Sequence, residues 1–156
     1  MKTLPSRIGV ISDTHGLLRP EALAALHGSE VIIHAGDVGG KEILDALSKI
    51  APVVAVRGNT DRDGWSASLP ETAVVEVNQA LIYVLHDVHA IDLNPAAAGF
   101  RMVISGHSHK ASRSEKDGVL YLNPGSAGPK RFSLPTTIAS IDLNQEPWEI
   151  DFIDLC

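Results

Sequence analysis

Three apolar runs in the first 60 residues stop on the same kind of punctuation. RIGVIS (7–12) runs straight into DTHG, EVIIHA (30–35) into GDVGG, and PVVAVR (52–57) into GNTD. Between the first two, residues 17–27 (LLRPEALAALH) carry Leu18, Ala22, Ala25 and Leu26 at helical spacing, with Pro20 near the first turn, where a missing N–H costs little. Residues 41–50 form a second amphipathic pattern, with Ile43, Leu44 and Leu47 on one side. Short apolar strands alternating with helices over short connections imply βαβ units and a parallel sheet.

The second half changes character. Residues 73–77 and 80–86 read as strands joined by a hairpin at Asn78–Gln79, and Asp117–Gly118 marks a second hairpin between 112–116 and 119–123. Further strands are expected at 102–105, 137–143 and 148–153. Residues 87–100 are weakly helical at best, limited by Pro95 and Gly99. So many strands exceed one doubly wound sheet. The expected fold is α/β: two mixed β-sheets packed as a sandwich flanked by helices, in a single domain over residues 1–156.

The polar residues fall at strand ends. Asp13 and His15 follow the first strand, Asp37 the second, Asn59 and Asp61 the third. His86 ends a later strand, and His107 and His109 follow the one ending at Ser105. Ligands bind beyond the carboxyl ends of strands in open α/β sheets, so these groups converge on one edge. Gly36, Gly58 and Gly106 each stand just before a candidate ligand, where a sharp turn is expected to need the positive φ and close backbone approach that glycine permits. Taken alone, an Asp such as Asp13 after a strand is as well explained as a helix cap. Two carboxylates, one amide and four imidazoles together exceed one tetrahedral ion and suit two divalent ions, with positions open for water and substrate.

Bulk properties narrow the function. The net charge of −6 argues against affinity built on a nucleic-acid backbone, and 4% aromatics against a base-stacking platform. Bound dications would still attract a small anionic substrate. The apolar runs are too short to span a bilayer, the N-terminus (Lys2, Arg7, then Asp13) lacks a secretory pattern, and the one cysteine, Cys156, forms no intrachain disulfide. A cytoplasmic location is expected.

These motifs, in this order, resemble the calcineurin-like metallophosphoesterases: DTH (13–15), GDV (36–38), GNTD (58–61), His86 and GHSH (106–109). The size, NPGS (123–126) and PKR (129–131) are similar to the small single-domain bacterial and archaeal phosphodiesterase branch. The resemblance implies that Asp13, His15 and His109 hold one metal, Asn59, His86 and His107 the second, and that Asp37 bridges both. It also implies that a hydroxide between the metals attacks phosphorus, making Asp37, Asn59 and His107 part of the catalytic centre. Mn²⁺ is the expected metal, with Fe, Ni or Zn as alternatives, and the expected substrate is a small phosphoester, nucleotide-like in one reading.

Two departures matter. Thr60 stands where many family phosphatases carry a histidine acting as general acid or phosphate clamp, which tilts the expectation toward diesters. Asp87–Val88 replace the Gly–His that the branch has after the ligand histidine, so Asp87 or His89 is a candidate for an outer role. Asp61 is expected to orient a ligand or loop, and His34 to be structural. Arg131 reads as a phosphate contact or a surface salt bridge, and Thr60 as a phosphate contact or filler. Trp65 and Leu69 read better as domain or dimer packing than as a site rim, leaving a homo-oligomer open. The competing functions are a protein-binding scaffold of the same fold, as in the eukaryotic retromer subunit, and a phosphomonoesterase or nuclease.

Overall fold

The computed structural model describes residues 6–131 and 133–155; Lys2 and Cys156 lie outside them. The chain runs β1 (Arg7–Ile11), α1 (Pro20–Leu26), β2 (Val31–His34), α2 (Lys41–Ser48), β3 (Val53–Ala55), β4 (Thr72–Val77), β5 (Ala80–Leu85), β6 (Phe100–Ile104), β7 (Ser112–Lys116), β8 (Val119–Asn123), β9 (Thr137–Asp142) and β10 (Glu149–Asp154). Single turns of 3-10 helix occur at Gly64–Ser68 and Val88–Ala90.

Two five-stranded sheets result, ordered β10-β9-β1-β2-β3 and β4-β5-β6-β8-β7. β1, β2 and β3 are parallel, as the βαβ reading requires, and β9 and β10 extend that sheet antiparallel. In the second sheet β5, β6 and β8 are parallel, while β4 and β7 close its edges as the two hairpins. The expected two-sheet α/β sandwich is present.

Period-two alternation decides which side chain goes where. Ile8 and Val10 of β1 join Ile82, Val84, Met102 and Ile104 in the core between the sheets. Ile11 and Ile32 face outward, onto Ala22 and Leu26 of α1 and Ile43 and Leu47 of α2. Each fully buried Ile or Leu contributes roughly 1.5–3 kcal/mol. α1 lies close against β1 because position 9 is glycine: a Cβ there would fall on Leu26 and Ser29.

The flanking differs from the expectation in one respect. Both helices cover the first sheet. The outer face of the second sheet is covered instead by the 87–99 segment, whose Val88, Ile91 and Leu93 pack on Tyr83, Leu85, Val103 and Val119. Pro95 and Gly99 keep that segment from forming a longer helix. Trp65 and Leu69 pack partly buried against the helix-side core, so they serve intrachain packing and not a rim of the site. No helix among the described residues is long and apolar enough to cross a membrane.

Candidate metal centre

Asp13 has two oxygens with opposite surroundings. Oδ2 accepts hydrogen bonds from Ser12 Oγ at 2.6 Å and from the His107 backbone N–H at 3.0 Å. Oδ1 is buried and accepts none. It instead faces imidazole nitrogens: His109 Nε2 at 3.4 Å, His15 Nε2 at 3.7 Å and His86 Nε2 at 3.9 Å. The His15 and His109 Nε2 atoms are 3.4 Å apart, their rings stacked. A buried carboxylate oxygen without a hydrogen bond costs free energy. A cation among Asp13, His15 and His109 removes that penalty, so this donor set fits a borderline divalent ion. Their ligand atoms lie within 4.8 Å of one another.

A second cluster adjoins the first. His86 Nε2 is 3.2 Å from Asp37 Oδ2 and 3.3 Å from His107 Nδ1, and Asn59 Oδ1 lies 3.2 Å from the same Nδ1. Asp37 Oδ2 is also 3.7 Å from His15 Nε2, so this carboxylate stands between the two groups. The tautomer of His86 is fixed from behind: its Nδ1–H donates to the Ala35 carbonyl at 2.8 Å, leaving Nε2 for the cluster. Thus the structure brings together all seven residues expected from strand ends, including His86 despite the altered Asp87–Val88 loop.

The ionisation of the cluster follows from these contacts. Burial alone would raise the Asp37 carboxyl. The hydrogen bonds from His86 and the Thr60 N–H outweigh it and hold Asp37 well below the usual carboxylate range. For His86 burial works the other way and is overcome by the bonds to Asp37 and Ala35 and by the charge of Asp13, so its pKa is raised. His109 is lowered, first by burial and then by the charges of Arg131 and His15.

The backbone explains why glycines and ligands alternate. Asp13, His15, Asp37, His107 and His109 themselves have φ between +46° and +72°, the left-handed region that ordinary side chains avoid. Of the three glycines singled out, only Gly36 shares it. Gly58 and Gly106 matter for close approach: a Cβ at Gly58 would fall on Asp37 Oδ1, and one at Gly106 on Ser12 Oγ and Asp13 Oδ2. The strain is thus carried by the ligands, and the expectation that all three glycines supply a positive φ is corrected.

The remaining candidates separate. Asp61 does not face the cluster. Its carboxylate accepts the backbone N–H groups of Val38, Gly39 and Gly58, tying the Asp37 loop to the Asn59 loop. Thr60 acts on Asp37 first through its N–H and then through its side chain, although the residue is exposed. Arg131 is exposed and acts on the site through its charge near His109. Asp87 Oδ2 lies 3.9 Å from His107 Nε2 and its other oxygen accepts the His89 N–H. Sequence reasoning missed Ser12, which orients Asp13, and Ser126, whose hydroxyl donates to the Asp13 carbonyl at 3.1 Å. Adjacency to Asp13 was the only signal for Ser12. Asn123 of the NPGS motif donates to the Gly106 carbonyl and to Ser108 Oγ in the GHSH loop.

Residues 7–146 match the calcineurin-like phosphoesterase superfamily domain. The chain belongs to this superfamily. Among its relatives, a probable metallophosphoesterase of Methanocaldococcus jannaschii is 39% identical over 132 residues, covering 76% of this chain and 67% of that one. A phosphodiesterase of the same organism is 28% identical, covering 83% of this chain and 89% of its own length. The fold is shared with vacuolar protein sorting 29 from Cryptosporidium parvum, with a TM-score of 0.76, 19% identity and coverage of 97% and 98% of the two chains. The superfamily is metal-dependent, and the carboxylate and imidazole clusters supply the candidate ligands.

Proposed function

We propose that this phosphoesterase is a phosphodiesterase that works with two divalent ions, Mn²⁺ favoured and Fe, Ni or Zn as alternatives. Asp13, His15 and His109 would hold one, Asn59, His86 and His107 the other, with Asp37 between them. The observation that carries the reading is the donorless, buried Asp13 Oδ1 surrounded by three imidazole nitrogens. When bound, the ions supply a water acidic enough to attack at neutral pH and neutralise charge on the phosphoryl oxygens.

The chain's own part is positioning. Ser12 and the His107 N–H turn Asp13 toward the cluster, Thr60 N–H turns Asp37, and Asp61 fixes the loops that carry Asp37 and Asn59. Hydrolysis forms a bond from water oxygen to phosphorus and breaks the bond to the leaving oxygen. No group of the third motif stands ready to protonate that oxygen, because position 60 is threonine and the Asp61 carboxylate is held by the Val38, Gly39 and Gly58 N–H groups. Leaving groups that depart as stable anions, and diesters over alkyl monoesters, suit such a site. A small phosphoester, nucleotide-like in form, fits it better than a nucleic-acid duplex, given the net charge of −6.

Protein stripped by chelator and reloaded with Mn²⁺ should cleave bis(p-nitrophenyl) phosphate, and His107→Ala should lose that activity. Turnover that survives thorough chelation, or the His107 substitution, would rule out this reading.

A further inference from the structure

The second sheet ends in an edge strand whose two faces differ. Along β7 (SRSEK) alternation sends Ser112, Ser114 and Lys116 into one cleft and Arg113 and Glu115 into another. The first cleft, about 500 Å³, opens directly beside His107. It continues into a further cavity of about 270 Å³ that shares Ile91, Lys116 and Tyr121 with it. Together these volumes lie in the range that holds a drug-sized ligand.

The cleft has a direction. Ser112 pairs with Asn123, which is bonded to Gly106 and Ser108 of the histidine loop, so the Ser112 end lies at the candidate metal centre. Lys116 pairs with Val119 at the distal hairpin. Four residue steps along the strand separate the two ends, roughly 13 Å. Near the centre the strand presents only serines, which leave room and offer hydroxyls. Midway, the half-buried Tyr121 and Ile91 form an apolar wall suited to a planar ring. At the distal end, where Asp117 also lines the cavity, Lys116 is exposed, the one lysine or arginine lining either cavity, and forms no ion pair among the described residues. A further cleft of about 340 Å³ is lined by Asn59 and His86. Asp87 lines both clefts and so stands between them.

We infer that the β7–β8 cleft is the specificity site for one arm of the diester. That arm carries a ring, read by Tyr121 and Ile91, and ends in an anionic group, read by Lys116. A nucleotide-type arm with a terminal phosphate has this chemistry. The second substituent points into the smaller cleft beyond Asp87. The inference rests on the phosphodiesterase reading and adds the residues that choose the substrate.

The test uses the full chain loaded with Mn²⁺ and two dinucleoside monophosphates that differ only by a terminal phosphate. The wild type should favour the phosphate-ended substrate in kcat/KM by about fivefold, the size of a partly exposed ion pair. Lys116→Gln should bring that ratio near one, through KM. Tyr121→Leu should raise KM for both dinucleotides several-fold. Arg113→Gln, on the other face of β7, should leave the ratio as in wild type and serves as control. If the wild type cleaves bis(p-nitrophenyl) phosphate but shows no preference, or Lys116→Gln keeps it, the cleft assignment is wrong and the phosphodiesterase reading stands. If no diester is cleaved at all, the phosphodiesterase reading falls and the cleft assignment falls with it.

Discussion

The ring of His34 donates from Nε2 to Thr14 Oγ1 across 3.0 Å, and that hydroxyl donates onward to the Val38 carbonyl at 2.7 Å. The direction is fixed because His34 Nδ1 accepts the Gly36 N–H at 3.1 Å. This neutral, fully buried imidazole thus links the loop of Asp13 and His15 to the loop of Asp37.

The link makes stability depend on pH. Burial, the largest influence, lowers the His34 pKa from 6.5 to about 4. The unfolded chain therefore takes up this proton first as pH falls. The contribution is complete above about 6.5 and is lost progressively toward pH 4, amounting to about 3 kcal/mol. Urea unfolding across that window should show a shallower loss of stability for His34→Gln, which has no group to ionise, than for wild type. Parallel curves for the two proteins would contradict the assignment.

Metal removal should be visible without any substrate. An ion that binds only the folded chain at a hundred times its Kd adds about 2.7 kcal/mol, or on the order of 5–10 °C in Tm for a domain of this size. Chelator should lower Tm by about that much, and Mn²⁺ should restore it. In Asp13→Ala the metal-induced shift should vanish. A Tm indifferent to chelator and Mn²⁺ in wild type would argue against occupancy of the clusters.

Two glycines should prove irreplaceable for different neighbours. Gly58→Ala pushes a methyl group onto Asp37, and Gly106→Ala onto Ser12 and Asp13. Each should cost about 1–3 kcal/mol in stability and weaken Mn²⁺ binding measured by titration calorimetry. Gly64→Ala, where the added carbon meets nothing within 4 Å, should leave both quantities nearly unchanged.

Position 60 tests the account of substrate preference. Thr60→His places an acid on an exposed loop next to Asn59. Hydrolysis of an alkyl phosphomonoester should rise by about 10²-fold, with little change for an aryl diester whose leaving group needs no proton. Equal rates for mutant and wild type on the monoester would mean that protonation does not limit turnover.

The parallel half of the fold is legible because RIGVIS, EVIIHA and PVVAVR are continuous apolar runs with helices between them. The hairpins at Asn78–Gln79 and Asp117–Gly118 are legible from their turn residues, all with φ between +48° and +78° in the structure. The covering of the second sheet is not legible, since Val88, Ile91 and Leu93 have no period that betrays a packed irregular segment. The candidate metal cluster reads well because each of its residues follows a strand end. Its supports are less legible: Ser12 bonds the carboxylate next to it and Ser126 reaches the Asp13 carbonyl 113 positions away, which no spacing announces, while the loop-holding role expected of Asp61 is met on partners as far off as Val38.

Asp13 and His15 follow a strand of one sheet, and His109 follows a strand of the other, 94 positions away from His15. An ion held by these three is a rivet through both layers of the sandwich. Its departure requires the layers to part locally, or a ligand loop to turn aside. The lifetime of bound metal, followed by exchange against a labelled isotope, therefore becomes a clock for whichever of these two openings comes first.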